Sequence, residues 1–172
     1  MKKLLFLVLA LLMPVVIYLF LQSFGDNQYM LPIMHSEAVP SFENCETASA
    51  PYKLPAMFYE GVQHKAIIVD VRLGDLDRRF INNELARVRQ YFGESVFTYK
   101  LFGQDIEAGV PDQYSTKTDL QRLAKCTLLS ESNNSFITLV DNQGRIRGYY
   151  DSSKKQEFDR MITEIEILNA FE

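Results

Sequence analysis

Few side chains in this sequence could do metal or redox chemistry: it holds two cysteines, Cys45 and Cys126, and two histidines, His35 and His64. Two thiols on the oxidising side of a membrane would be oxidised to a structural disulfide; otherwise they are two unrelated thiols, because sequence separation does not fix a Cα distance. A reactive thiol needs a lowered pKa, from a helix N-terminus or a nearby cation. Cys126 falls near the C-terminal end of a predicted helix, where the dipole opposes a thiolate, and Lys125 points elsewhere around that helix. His35 lies near Glu37, and His64 lies between Gln63 and Lys65. Neither has a ligand at short spacing, so both read as surface residues. Asp75 and Asp77 could hold only a hard ion weakly, and they read as a solvated loop and a helix N-cap. The run from Ser130 to Ser135 has neither a base nor a nucleophile elbow, which leaves hydrolase chemistry unsupported. Arg145, Arg147, Tyr149 and Tyr150 gather cations and aromatics on one strand. That strand is either an ordinary two-faced one, or a contact surface for a membrane-complex partner, since Arg and Tyr are enriched at binding hot spots.

The elements that position these residues follow from local pattern. Phe136 to Val140 is a β-branched apolar run, and Asp141 to Gly144 is a turn in which Gly144 can take a positive φ. Arg145 to Tyr150 returns as an antiparallel strand. Ser153 to Gln156 has the spacing of a capping box, ahead of a helix with Phe158, Met161, Ile162, Ile165 and Leu168 on one face. Earlier, Lys65 to Val71 is a continuous apolar run that predicts a strand buried on both faces. Asp77 caps a helix with Phe80, Leu85, Val88 and Phe92 in its stripe, ending near Gly93, and Ser95 to Phe102 is a second strand. Strand, helix, strand makes a parallel βαβ unit. Gly103 to Tyr114 reads as a loop, Thr116 to Asp119 caps a short helix with Leu120, Leu123 and Ala124 inward, and Thr127 to Asn134 is a polar connection. Ala56 to Tyr59 reads as a short strand.

At the N-terminus, Met1-Lys-Lys3 precedes eighteen uncharged residues, Leu4 to Leu21. As a helix these span ~27 Å, close to a bilayer core. The run is longer than a signal-peptide core and lacks a small-x-small site, so an uncleaved anchor is expected over residues 1–23, with its lysines on the cytoplasmic side. Residues 24–50 read as a juxtamembrane segment and linker without periodicity, and residues 51–172 as the domain. Without the two N-terminal lysines the chain carries 16 basic against 22 acidic side chains, and no basic patch supports nucleic-acid binding.

The order β-α-β-α-β-β-α is that of a thioredoxin-like α/β domain: a central mixed sheet with flanking helices, here preceded by one N-terminal transmembrane helix. Phe136-Ile-Thr-Leu-Val-Asp-Asn-Gln-Gly-Arg-Ile-Arg-Gly-Tyr-Tyr-Asp151 resembles the closing hairpin of the SCO/SenC branch of that superfamily. The anchor, Phe24-Gly-Asp-Asn-Gln-Tyr and Tyr52-Lys-Leu-Pro55 are similar to some bacterial versions. The resemblance implies copper handling during maturation of the binuclear copper centre of cytochrome c oxidase. It also implies a CxxxC pair after the first buried strand and a histidine shortly before the hairpin, a soft ligand set that suits copper. The same dithiol can exchange disulfides. This chain departs from the pattern at both places. Arg72 to Arg79 contains no cysteine, and the histidine position falls near Asn133, with no histidine from Glu131 to Ser135.

The expectation is therefore a membrane-anchored, periplasm-facing SCO-like protein in the inner (cytoplasmic) membrane. It would be redox-inactive, would bind no copper or other cofactor, and would act by binding a membrane-protein partner in respiratory oxidase or envelope assembly. An alternative is a thiol-disulfide oxidoreductase using Cys45 and Cys126; another is a purely structural partner domain.

Overall fold

The structure, a computed structural model, describes residues 11–20, 30–61, 63–73, 77–102 and 117–171. Strand β1 (Ala66–Arg72) is built from β-branched residues and is buried along its whole length. It sits inside a four-stranded sheet of order β2-β1-β3-β4. Strand β2 (Val96–Phe102) runs parallel to β1, with Ala66 opposite Val96 and Arg72 opposite Phe102. Strand β3 (Phe136–Asp141) is antiparallel to β1, and β4 (Ile146–Asp151) is antiparallel to β3. With helices on both faces, this is the expected thioredoxin-like arrangement.

Alternation along β1 divides the core in two. Ala66 and Ile68 face helices α2 (Arg78–Phe92) and α4 (Lys155–Phe171), while Ile67, Val69 and Val71 face α3 (Lys117–Cys126) and the segment around Tyr52, Leu54 and Phe58. Asp77 caps α2 as expected, its Oδ1 accepting from the backbone N–H of Arg79 and Phe80 at 3.0 and 3.3 Å. Gly93 ends α2 with φ 56°. The buried stripe of α2 is Ile81, Leu85 and Val88, with Phe80 and Phe92 partly covered, so Ile81 joins the predicted stripe as a core residue. Burying side chains of this size is worth about 1.5–3 kcal/mol each, which makes this stripe the main attachment of α2. In α3, Leu120, Leu123 and Ala124 are buried, as read from the spacing.

Several local readings change. Ala56–Phe58 is a 3-10 turn rather than a strand, because Phe58 N–H donates to the Pro55 carbonyl and Tyr59 N–H to that of Ala56. The Ser153 hydroxyl donates to Asp151 Oδ1 at 2.6 Å instead of forming a capping box, and α4 begins at Lys155. The connection after α3 is polar in part only: Leu128 and Leu129 are buried beneath it.

The largest correction concerns the linker. Leu31 is buried in the second core, and its carbonyl accepts from Arg147 Nη1 at 2.7 Å. Met34 N–H donates to the Ile146 carbonyl, and Val39, Phe42 and Ala48 pack on the first core. Residues 31–50 are thus a strap on the domain. Their irregular contacts follow the surface beneath them, so they leave no period in the sequence. Residues 11–20 form a helix, α1, whose side chains are exposed. Among the described residues no helix is long and apolar enough to cross a membrane; the rest of the expected anchor, and the predicted loop over residues 103–114, lie outside them.

Candidate functional site

The C-terminal end of β1 is where the family resemblance would place copper ligands. The backbone N–H of Leu73 donates to Ser135 Oγ at 3.0 Å, so the start of the loop after β1 meets the residues just before β3. The start of one stretch named by the resemblance therefore meets the end of the other here. A shallow cleft of about 200 Å³ opens beside them, with Ser130, Ser132, Asn134 and Ser135 in its wall. Its hydroxyls are used internally: Ser132 N–H donates to Ser130 Oγ, and Ser132 Oγ donates to the Asn134 carbonyl. At the end of β1, Arg72 donates through Nε and Nη2 to Asp70 Oδ2 at 2.9 and 2.7 Å, and through Nη2 to Asn82 Oδ1 at 2.8 Å. This buried pair ties β1 to α2. Asp77 is a helix cap, and Asp75 lies outside the described residues. Among the described residues no cluster of three His, Cys, Asp or Glu side chains is placed to hold a metal ion.

The expected contact surface on β4 is not a free surface. Arg147 and Tyr150 are each 2% exposed, and Arg145 and Tyr149 are half-buried. Both faces of this strand are covered by core, and a β-bulge decides which face each residue takes: Leu139 pairs with Gly148 and Val140 with Ile146, so Arg147 is the extra residue in the ladder. That residue changes the parity of the strand. Ile146 and Tyr149 therefore reach the first core, Tyr150 reaches the second, and Arg147 turns inward onto Asp141. Asp141, which reads from sequence as a turn former only, is the hub of this arrangement. Its Oδ1 accepts from the backbone N–H of Gln143 and Arg145, both at 2.9 Å. Its Oδ2 accepts from Arg145 Nε at 2.6 Å and Arg147 Nε at 2.8 Å. Burial opposes its ionisation, but these hydrogen bonds outweigh it and hold the carboxyl below its usual range. On the other face, Tyr150 Oη donates to Glu164 Oε2 at 2.5 Å, and the Arg160 guanidinium lies over its ring; burial first, then the Glu164 contact, push this phenol far up.

His35 is half-buried rather than on the surface. Tyr149 Oη donates to the Leu128 carbonyl at 2.6 Å and lies 3.0 Å from His35 Nε2, with which it shares a hydrogen bond. Burial lowers the His35 pKa, against a backbone hydrogen bond at Ala38 that raises it. His64 stacks on Phe97 with centroids 5.6 Å apart.

Cys45, on the strap, and Cys126, the last residue of α3, are joined as a disulfide with Cα atoms 5.2 Å apart. Both are half-buried, and two open clefts, of about 540 and 480 Å³, share Cys45, Arg122 and Cys126 in their walls. Proximity of the two thiols is not legible in their spacing, because the strap has no period and reads as a linker.

No protein-family model and no curated protein matches the chain. Two solved structures are similar to it. One is a SCO1/SenC family lipoprotein from Bacillus anthracis str. Ames, at 10% identity and TM-score 0.43, over 63% of this chain and 83% of that one. The other is a member of the Sco family of cytochrome c oxidase assembly proteins, described for its disulfide switch, at 8% identity and TM-score 0.42, over 63% of this chain and 82% of that one. Both structure neighbours are thus SCO proteins, and each is what this chain resembles.

Proposed function

We propose that this chain is a membrane-anchored accessory protein of SCO type. It acts by binding a membrane-protein partner in assembly of cytochrome c oxidase or of the envelope, with its domain on the periplasmic side. The resemblance of the closing hairpin supports the family context. The observation that carries the departure from it is the meeting of Leu73 with Ser135: the start of the stretch marked for thiolates touches the end of the one marked for imidazole, and neither stretch holds a cysteine or a histidine. Serine, asparagine and aspartate oxygens are poor ligands for Cu(I), which selects soft sulfur donors. Anchoring is supported by the uncharged N-terminal run and by the exposed apolar side chains of α1, such as Leu11, Val16 and Phe20. Affinity purification of the full chain from mild-detergent membranes is expected to bring down oxidase or envelope-assembly subunits; its recovery alone would refute the assembly role. Competition titration of the same sample with a Cu(I) chelator complex should show no stoichiometric transfer, and one equivalent bound would overturn the loss of copper handling.

A further inference from the structure

We infer that Cys45–Cys126 is a thiol–disulfide exchange site for a protein dithiol, and that the loop carrying Cys45 is its moving part. This inference is independent of the assembly role. Tyr52 N–H donates to the His35 carbonyl at 3.1 Å, so the ends of residues 36–51 meet and the segment is a closed Ω-type loop. Both ends are fixed without the disulfide. His35 bonds Tyr149 Oη, Met34 N–H bonds the Ile146 carbonyl, and Tyr52 Oη donates to the Thr127 carbonyl at 2.6 Å. Cys45 sits towards the middle of the loop, in a tight turn where its N–H reaches the Phe42 carbonyl and Asn44 has φ 65°. Between the fixed ends, only the partly buried Val39, Phe42 and Ala48 add apolar packing. Opening the disulfide therefore frees one loop while both cores remain closed.

The direction of attack follows from the helix. Cys126 ends α3, where the carbonyl end of the dipole disfavours a thiolate, whereas Cys45 lies in a loop. Cys45 is then the better leaving group, and an incoming thiolate attacks Cys126 Sγ. The Cys45–Cys126 bond breaks as the partner–Cys126 bond forms, and the electron pair goes to Cys45 Sγ, which takes a proton from water. The partner's second thiolate then attacks its own sulfur in the mixed disulfide, and Cys126 Sγ leaves with the electron pair and takes a proton from water. The dithiol has lost two electrons to the pair, and atoms balance. The shared clefts give the attacking sulfur access, and Lys53, Arg122 and Lys125 on their walls offset Glu43, Glu46 and Asp119.

The test uses the full chain in detergent, with dithiothreitol and reduced glutathione as probes. Under native conditions both cysteines should become open to a maleimide, and glutathione should be mapped to Cys126 by peptide mass spectrometry. The near-UV tyrosine signal should persist, while a glutamate-specific protease cuts at Glu37, Glu43 or Glu46 about tenfold faster or more, as for a locally opened segment. The C45S/C126S variant should fold and show the fast cleavage with or without reductant. Thiols that react only in denaturant, reduction that abolishes the tyrosine signal, a loop that stays protected after reduction, or a double variant that fails to fold would each overturn the inference.

Discussion

Removing the Asp141 carboxylate gives the sharpest test of how the closing hairpin is held. Asp141 and Arg147 side chains are 1% and 2% exposed, and the pair also anchors the strap through Arg147 Nη1 to the Leu31 carbonyl. Asp141→Ala takes the Asp141 carboxylate from the buried Arg147 guanidinium and leaves two turn N–H groups without that acceptor. Breaking a buried pair in this way costs about 3–5 kcal/mol. Arg145, 22% exposed on its side chain, adds little to that figure because solvent screens it. Asp141→Asn keeps one oxygen for the turn N–H groups and should cost less, about 2–3 kcal/mol. With no tryptophan and nine tyrosines, urea unfolding of the full chain in detergent is followed by tyrosine emission. A slope near 2 kcal/mol/M turns the alanine loss into a fall of about 2 M in midpoint. The D141A/R147M double variant should recover much of the loss, because the guanidinium that Asp141 neutralised is then absent too. A loss below about 1 kcal/mol for D141A, or no recovery in the double variant, would refute a buried pair as the clamp. The pH sign is also fixed. Asp141 titrates below its ordinary 3.8 in the fold, so its contribution is present above that pH and is lost as pH falls through the lower folded value. The asparagine variant should not show this loss.

Gly144→Ala should lower the thermal midpoint by the equivalent of roughly 1–3 kcal/mol, since φ is +78° and an added Cβ would lie 2.5 Å from Tyr59 Cε1; an unchanged midpoint counts against this geometry for the turn from Asp141 to Gly144. Tyr149→Phe leaves the Leu128 carbonyl and His35 Nε2 without their shared hydroxyl, for roughly 1–3 kcal/mol in the same urea assay. His35 is held below its ordinary 6.5 by burial, so its contribution is present above that pH and declines as pH falls through the folded value. Urea midpoints at about pH 7.5 and about pH 5 should therefore differ more for the native chain than for His35→Gln, and equal differences would exclude His35 as the source.

What the sequence settles by itself is local. The order of elements, the burial of β1, the positive φ of Gly144 and the Asp77 cap follow from side-chain period, β-branching and turn chemistry over a few residues. The resemblance of the closing hairpin implies two stretches for thiolates and imidazole, and neither holds a cysteine or a histidine. Two things lie beyond that local reach. Cover on both faces of β4 turns an apparent cationic–aromatic surface into core and clamp, and a one-residue bulge at Arg147 sets which face each residue takes, an extra residue that alternation cannot reveal. The strap from Leu31 to Ala50 carries no period because its contacts are set by the surface it crosses. Only the folded chain returns His35 to Tyr52 and brings Cys45 within bonding reach of Cys126, since distance between residues remote in sequence is a property of tertiary packing.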